Sequence, residues 1–204
     1  CTSSGKSLMI YNAVRCIRKK DYNHILLIVP NIMLVDQMYD DFKDYGYDNI
    51  DDEVERLGGG HEATFDKPVL ISTWQSLQNK DAEFFEKYSA VFVDEVHGVK
   101  ANVMTKLMKW CVNAYYKIGT TGTLPNDKCD LLQIREVVGD VIFELKSKEL
   151  IDAGVLTKIK IANIIAKYPA EFIMKNKGRS YPEEVKMVEE YQDRNKVLEL
   201  ILSH

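Results

Sequence analysis

The sequence predicts an α/β fold, a mostly parallel sheet covered by helices, and three observations carry that expectation. Short runs rich in β-branched residues recur, each is followed by a longer amphipathic stretch, and the composition is that of a globular domain with a sizeable core. In chain order, Ser7 to Lys20 has the apolar spacing of a helix, and Ile25 to Val29 reads as the first strand. Ile32 to Tyr45 is again helical, with Leu34, Met38 and Phe42 on one face. Val69 to Thr73 and Ala90 to Asp94 are further strands, Val99 to Trp110 is a helix carrying Val103, Leu107 and Met108, and Tyr116 to Thr120 is the fourth strand. Parallel strands need crossover helices, and those helices bury both faces of the sheet, so this alternation points to the parallel class.

The character changes after Leu145. Residues 146 to 180 combine Asp152-Ala153-Gly154, a strand expected at Ile159 to Ala166 and the basic, turn-prone Lys175 to Ser180, which together read as a connector. A helix pattern then starts at Pro182, with Glu183 and Glu184 in its first turn favoured by the helix dipole, and runs to His204 without a stop signal. The organisation expected is therefore a first domain over 1–145, a connector over 146–180 and the start of a second domain over 181–204.

The 204 residues are 46% hydrophobic and 28% charged, which excludes the disordered class, and no apolar run approaches the length that spans a bilayer. The four cysteines lie far apart and form no CxxC pair, so neither a zinc cluster nor a disulfide framework is expected, and free thiols fit a cytoplasmic protein. The sequence begins at Cys1 without an initiator Met or a signal-peptide pattern and reads as a fragment. Net charge is −4, with a pI near 5.6, so contact with nucleic acid must come from local basic patches and backbone amides.

Two motifs carry chemistry. Thr2-Ser3-Ser4-Gly5-Lys6-Ser7, opening a helix, matches the last part of the phosphate-binding loop G-x-x-x-x-G-K-[ST]. In such a loop, backbone N–H groups and the helix N-terminus hold a β-phosphate, Lys6 neutralises phosphate oxygens and the Ser7 hydroxyl ligates Mg²⁺. Asp94-Glu95-Val96-His97 follows an apolar strand directly, which places two carboxylates at the sheet edge where ligands bind. There Asp94 would hold Mg²⁺ and Glu95 would orient and deprotonate an attacking water. Either motif alone has a plainer reading, a helix cap or a solvated turn, and it is their combination in an α/β chain that points to a nucleotide triphosphatase.

With Thr121-Gly122-Thr123 after the fourth strand, these residues resemble motifs I, II and III of a superfamily 2 DExH helicase, in that order. Val29-Pro30 with Gln37 resembles motif Ia, and Thr73-Trp74-Gln75 resembles the TWQ segment of the UvsW helicases of T-even bacteriophages. Leu57-Gly58-Gly59-Gly60, the Gly154 turn, Tyr168 to Phe172 and Arg194-Asn195-Lys196 are similar to the same family.

The resemblance implies a RecA-like P-loop NTPase domain, plus the start of a second one, within a motor that hydrolyses ATP with Mg²⁺. It also implies unwinding or branch migration of DNA in phage recombination, replication and repair, including R-loop unwinding, in the host cytoplasm. By position, Lys6, Asp94 and Glu95 are implied in catalysis, Thr2 to Ser7 in nucleotide binding, and Ser7 and Asp94 in metal binding. His97, Thr121, Gly122 and Thr123 would couple nucleotide state to DNA. Pro30, Gly58, Gly59, Gly60, Thr73, Trp74 and Gln75 would contact one DNA strand, largely through amides and hydroxyls that need little positive charge. The arginines that complete the ATP site belong to the second RecA-like domain, which this chain only begins, so weak turnover is expected from it alone.

Other readings stay open at this stage. The three glycines also suit a flexible turn, Trp74 a core position, and Arg15, Arg18, Lys19 and Lys20 a helix end stabilised by its dipole. His24 and His61 have no motif partner and carry no assignment. At the level of function, the alternatives are a restriction-system motor subunit, an RNA helicase, a regulatory module without turnover, and a small-molecule P-loop kinase.

Overall fold

Every neighbouring pair of strands in the sheet of this computed structural model, which describes residues 5–20, 24–98, 101–158, 163, 165 and 167–203, runs parallel. The chain divides into two compact units, Cys1–Thr157 and Lys158–His204. In the first, α1 (Lys6–Arg18), β1 (Ile25–Val29) and α2 (Ile32–Asp44) are followed by the short α3 (Ile50–Glu53) and β2 (Val54–Leu57). Then come β3 (Val69–Thr73), the short α4 (Trp74–Leu77) and α5 (Ala82–Glu86), and β4 (Ala90–Val93). A 3-10 turn over Val96–Gly98, α6 (Ala101–Trp110), β5 (Tyr116–Gly119), α7 (Lys128–Val138) and α8 (Ser147–Asp152) complete it. The second unit holds α9 (Ala170–Lys175), α10 (Tyr181–Glu190) and α11 (Gln192–Leu202).

The sheet has five strands in the order β2-β3-β1-β4-β5. Its central strand β1, Ile-Leu-Leu-Ile-Val, is buried at every position because helices cover both faces. Ile25, Leu27 and Val29 face a core built with Ile10, Val14, Val35 and Phe42 from α1 and α2. Leu26 and Ile28 face the opposite core, with Phe85, Met104, Leu107 and Val137 from α5, α6 and α7. Each such side chain contributes on the order of 1.5–3 kcal/mol by leaving water.

Register aligns the strand ends. Val29 pairs with Thr73, Leu57 with Ser72, Ile28 with Val93, and Val93 with Gly119. The segments leaving these strands, which begin at Pro30, Gly58, Trp74, Asp94 and Thr120, therefore emerge along one edge of the sheet.

Several features differ from the sequence reading. Strand β2 was not expected, because Val-Glu-Arg-Leu is no apolar run; as an edge strand it pairs only with β3 and tolerates polar positions. Helix α7 was not expected either, although Asp127 caps it by accepting from the Cys129 and Asp130 amides. The helix from Pro182 onward is two helices, broken at Tyr191, whose ψ of 108° is not helical. Within the expected connector, α8 belongs to the first unit and α9 to the second, and most of the expected strand, 159–162, 164 and 166, lies outside the described residues. Among the described residues, no helix is long and apolar enough to cross a membrane.

Candidate functional site

Gly5 is the N-cap residue of α1, with φ 78° and ψ 28°, a left-handed conformation open to glycine at little cost. A β-carbon there would meet nothing within 4 Å, so the demand for glycine is conformational, not steric. The first turn of α1 contains no acidic residue, which leaves its N–H groups without a carboxylate of their own helix. Thr2, Ser3 and Ser4 lie outside the described residues.

The Lys6 ammonium pairs with the Glu95 carboxylate, so the start of α1 and the end of β4 meet at the sheet edge. The Ser7 hydroxyl lies 2.9 Å from the Tyr45 hydroxyl, a partner without any signal in the sequence. Asp94 is 8% exposed, and its Oδ1 accepts from the Thr120 hydroxyl at 2.7 Å and from the Glu95 amide at 3.0 Å. Thr120 was also missed; it stands one residue before the singled-out Thr121-Gly122-Thr123, and only the sheet register brings it beside Asp94.

Glu95 has φ 48°, in the left-handed region that residues with a β-carbon avoid. Its Oε2 accepts from the Gly122 amide at 3.1 Å and the Thr121 hydroxyl at 3.4 Å, and lies 3.4 Å from His97 Nδ1. Burial alone would raise the Glu95 pKa, but the hydrogen bonds from Lys6 and Gly122, with the charges of Lys6 and His97, hold it below the usual carboxylate range. His97 Nδ1 is also hydrogen-bonded to the Thr121 hydroxyl, which bonds in turn to the Thr123 carbonyl at 2.8 Å. All four coupling candidates thus join one network around Glu95.

The nucleic-acid candidates occupy the other side of the same edge. Pro30 is half-buried and precedes Asn31, whose side chain caps α2 by accepting from the Leu34 amide at 3.1 Å. Gly58, Gly59 and Gly60 all have positive φ, and Gly58 and His61 exchange two backbone hydrogen bonds, so the glycines form a tight turn. Thr73 is 1% exposed; its hydroxyl caps α4 by accepting from the Ser76 amide and lies 3.1 Å from the Ser76 hydroxyl. Trp74 packs half-buried against the core on the α5–α6 side, and Gln75 is exposed.

A Lys-Ser pair opening a helix, two carboxylates after a parallel strand and a threonine-rich loop at one edge find their counterpart among known proteins. The family model for the Type III restriction enzyme, res subunit, matches residues 1–126. The chain belongs to this family of superfamily 2 helicases. The ATP-dependent DNA helicase uvsW of Enterobacteria phage T4 is 31% identical over 199 residues, which is 96% of this chain and 39% of that protein. The XPB helicase/translocase subunit of general transcription and DNA repair factor IIH from Danio rerio is 25% identical over 185 residues, 83% of this chain and 22% of that protein. A crystal structure of T4 UvsW superposes with a TM-score of 0.64 and 29% identity over 97% of this chain and 39% of that one. The parallel sheet and its helices are those of a RecA-like helicase domain. The chain spans well under half of the length of these relatives.

Proposed function

We propose that this chain is the ATP-binding part of a superfamily 2 DNA helicase or translocase, the hydrolytic motor that unwinds or branch-migrates DNA. The observation that carries the reading is the Lys6–Glu95 pair, formed between residues 89 apart in sequence at the one edge where the Thr120 to Thr123 loop also ends. Lys6 balances the Glu95 charge and would exchange it for phosphate oxygens when ATP binds. Glu95, ionised and held by the Gly122 amide, would then accept the proton of the attacking water.

The donor set fits Mg²⁺, a hard cation with oxygen ligands: Asp94 offers a carboxylate at the strand end and Ser7 a hydroxyl on the first turn of α1. Bound there, Mg²⁺ would offset charge on the phosphate oxygens. Lys6 and the α1 amides would hold the phosphates, and Thr120 would keep Asp94 oriented. His97, Thr121 and Thr123 would pass a change at Glu95 to the rest of the edge through their hydrogen bonds.

DNA would lie across Pro30, the Gly58 to Gly60 turn and Gln75, held by the Gly59 and Gly60 backbone amides, which suits an acidic chain. The Thr73 hydroxyl, committed to its helix cap, contributes by fixing α4, and Trp74 by packing. Residues 146–180 as a connector and 181–204 as the opening of a second RecA-like domain belong to the same reading, as does a cytoplasmic site of action. The 31% identity to the phage helicase over 96% of the chain favours this motor over a restriction subunit or a module without turnover.

The test is ATP hydrolysis by the full-length gene product with branched DNA, single-stranded DNA and RNA at stated salt. Stimulation by branched DNA is expected, and Glu95→Gln should abolish it while ATP still binds. Undiminished hydrolysis by that variant would remove Glu95 as the base, and no stimulation by any nucleic acid would remove the motor.

A further inference from the structure

His61, which no motif claims, lies one residue beyond the glycine turn, and its Nε2 is 2.8 Å from Asp36 Oδ1 on α2. A carboxylate only accepts, so this ring nitrogen carries the proton and donates it. Arg56, on β2 just before the turn, donates to the same oxygen at 2.8 Å. The Arg56 guanidinium also lies 4.2 Å from the centre of the Tyr39 ring, one helical turn beyond Asp36. Both stems of the turn are thereby tied to a single carboxylate.

Apart from the two backbone hydrogen bonds between Gly58 and His61, what holds the turn comes from its neighbours. Gly58, Gly59 and Gly60 have no side chains to pack, and glycine loses more conformational freedom on ordering than any other residue. Gly59 lies so close to α2 that a β-carbon would come within 2.6 Å of Ile32 Cγ2, and one on Gly58 would come within 2.9 Å of Ser76 Oγ. The turn is thus wedged between the starts of α2 and α4. Among the described residues, the Gly59 and Gly60 amides donate to no acceptor, and both glycines are exposed.

We propose that His61 and Asp36 are positioning residues for nucleic-acid binding: with Arg56 they clamp the glycine turn onto α2 and so set where the Gly59 and Gly60 amides point. This rests on the reading that the turn meets backbone phosphates. Neither residue touches the nucleic acid; each acts by ordering the amides in advance, which removes an entropy cost from binding.

The test uses the full-length gene product and measures binding of a fluorescein-labelled oligothymidine by anisotropy, and of a fluorescent ADP analogue, at fixed salt. His61→Ala should weaken oligothymidine binding at least about tenfold, the equivalent of one lost amide-to-phosphate bond, and leave ADP affinity unchanged. It should raise the DNA concentration for half-maximal ATPase while leaving the rate at saturating DNA unchanged. His61→Gln, whose amide also donates, should restore most of the affinity. If His61→Ala does not fold, Asp36→Asn, which keeps the shape but loses the charge, should show the same split. Wild-type oligothymidine affinity in the alanine variant, or equal weakness in the glutamine variant, would overturn the clamp alone. No oligothymidine binding by the wild type would overturn the phosphate reading and the clamp together.

Discussion

Glu95 adopts φ 48°, a conformation that costs a residue with a β-carbon about 1–2 kcal/mol. That cost is offset by the Lys6 pair and the Gly122 amide, contacts that aim the carboxylate across the strand ends. Strain held at a functional group is a common trade of stability for orientation, and it fits the proposed role of Glu95 as the base. Glu95→Gly removes the strain together with the carboxylate. Hydrolysis should fall at least ~100-fold, the usual contribution of a general base, while the denaturant midpoint stays level or rises. A loss of stability beyond about 2 kcal/mol in that variant would show that the ion pair outweighs the strain. The residue types at this site were legible in the sequence, because Gly5-Lys6-Ser7 and Asp94-Glu95 are contiguous motifs. Tyr45 and Thr120 were not, because a hydrogen bond between elements leaves no local pattern.

At the scale of elements, the starts of α2 and α4 hold the face proposed to meet nucleic acid. Thr73 is both the last residue of β3 and the cap of α4, so the strand hands its hydroxyl directly to the helix. Thr73→Val keeps the shape and loses the cap; a cost of about 1 kcal/mol in unfolding free energy is expected. Oligothymidine affinity should change little, since the hydroxyl is turned inward; a large loss with unaltered stability would restore a direct phosphate role. The glycine turn separates two effects in the same way. Gly60→Ala meets open space and carries only the positive-φ cost, whereas Gly59→Ala meets Ile32 as well and should destabilise more in thermal melts. Equal losses would mean that the turn can move away from α2. Strand β2 escaped sequence reading because its polar Glu55 and Arg56 interrupt the apolar pattern, yet Glu55 is 7% exposed, with Oε2 accepting from the Phe65 amide. Its place in the sheet depends on β3 and on residues ten positions away.

Across the whole first unit, two cores on opposite faces of one sheet make the strands interdependent. Phe92, 1% exposed, belongs to the core under α1 and α2, and Phe92→Ala should cost about 3–5 kcal/mol in urea unfolding. A cost under ~1 kcal/mol would mean that the α1–α2 face collapses freely around the lost ring. Cys111 is fully buried in the other core, where burial, against the pull of Lys117, pushes its thiol up to about 12. Thiolate is the reacting form, so at neutral pH Cys111 should resist alkylation in the native protein, whereas the exposed Cys16 and Cys129 react. Mass mapping after brief iodoacetamide treatment checks this, and early labelling of Cys111 would show that the α6 side of the sheet opens.

The sequence by itself determined the parallel α/β class and the central strands, and it singled out the residues of the proposed nucleotide site, because apolar periodicity and contiguous motifs are local properties of a chain. It also carried the helicase family, since those motifs recur in a set order. Only the tertiary structure decided that Lys6 meets Glu95, that Thr120 orients Asp94, that Thr73 turns inward and that His61 reaches Asp36. Each of those contacts joins elements whose distance is set by sheet order and register, and register is a property of the assembled strands, not of any one of them.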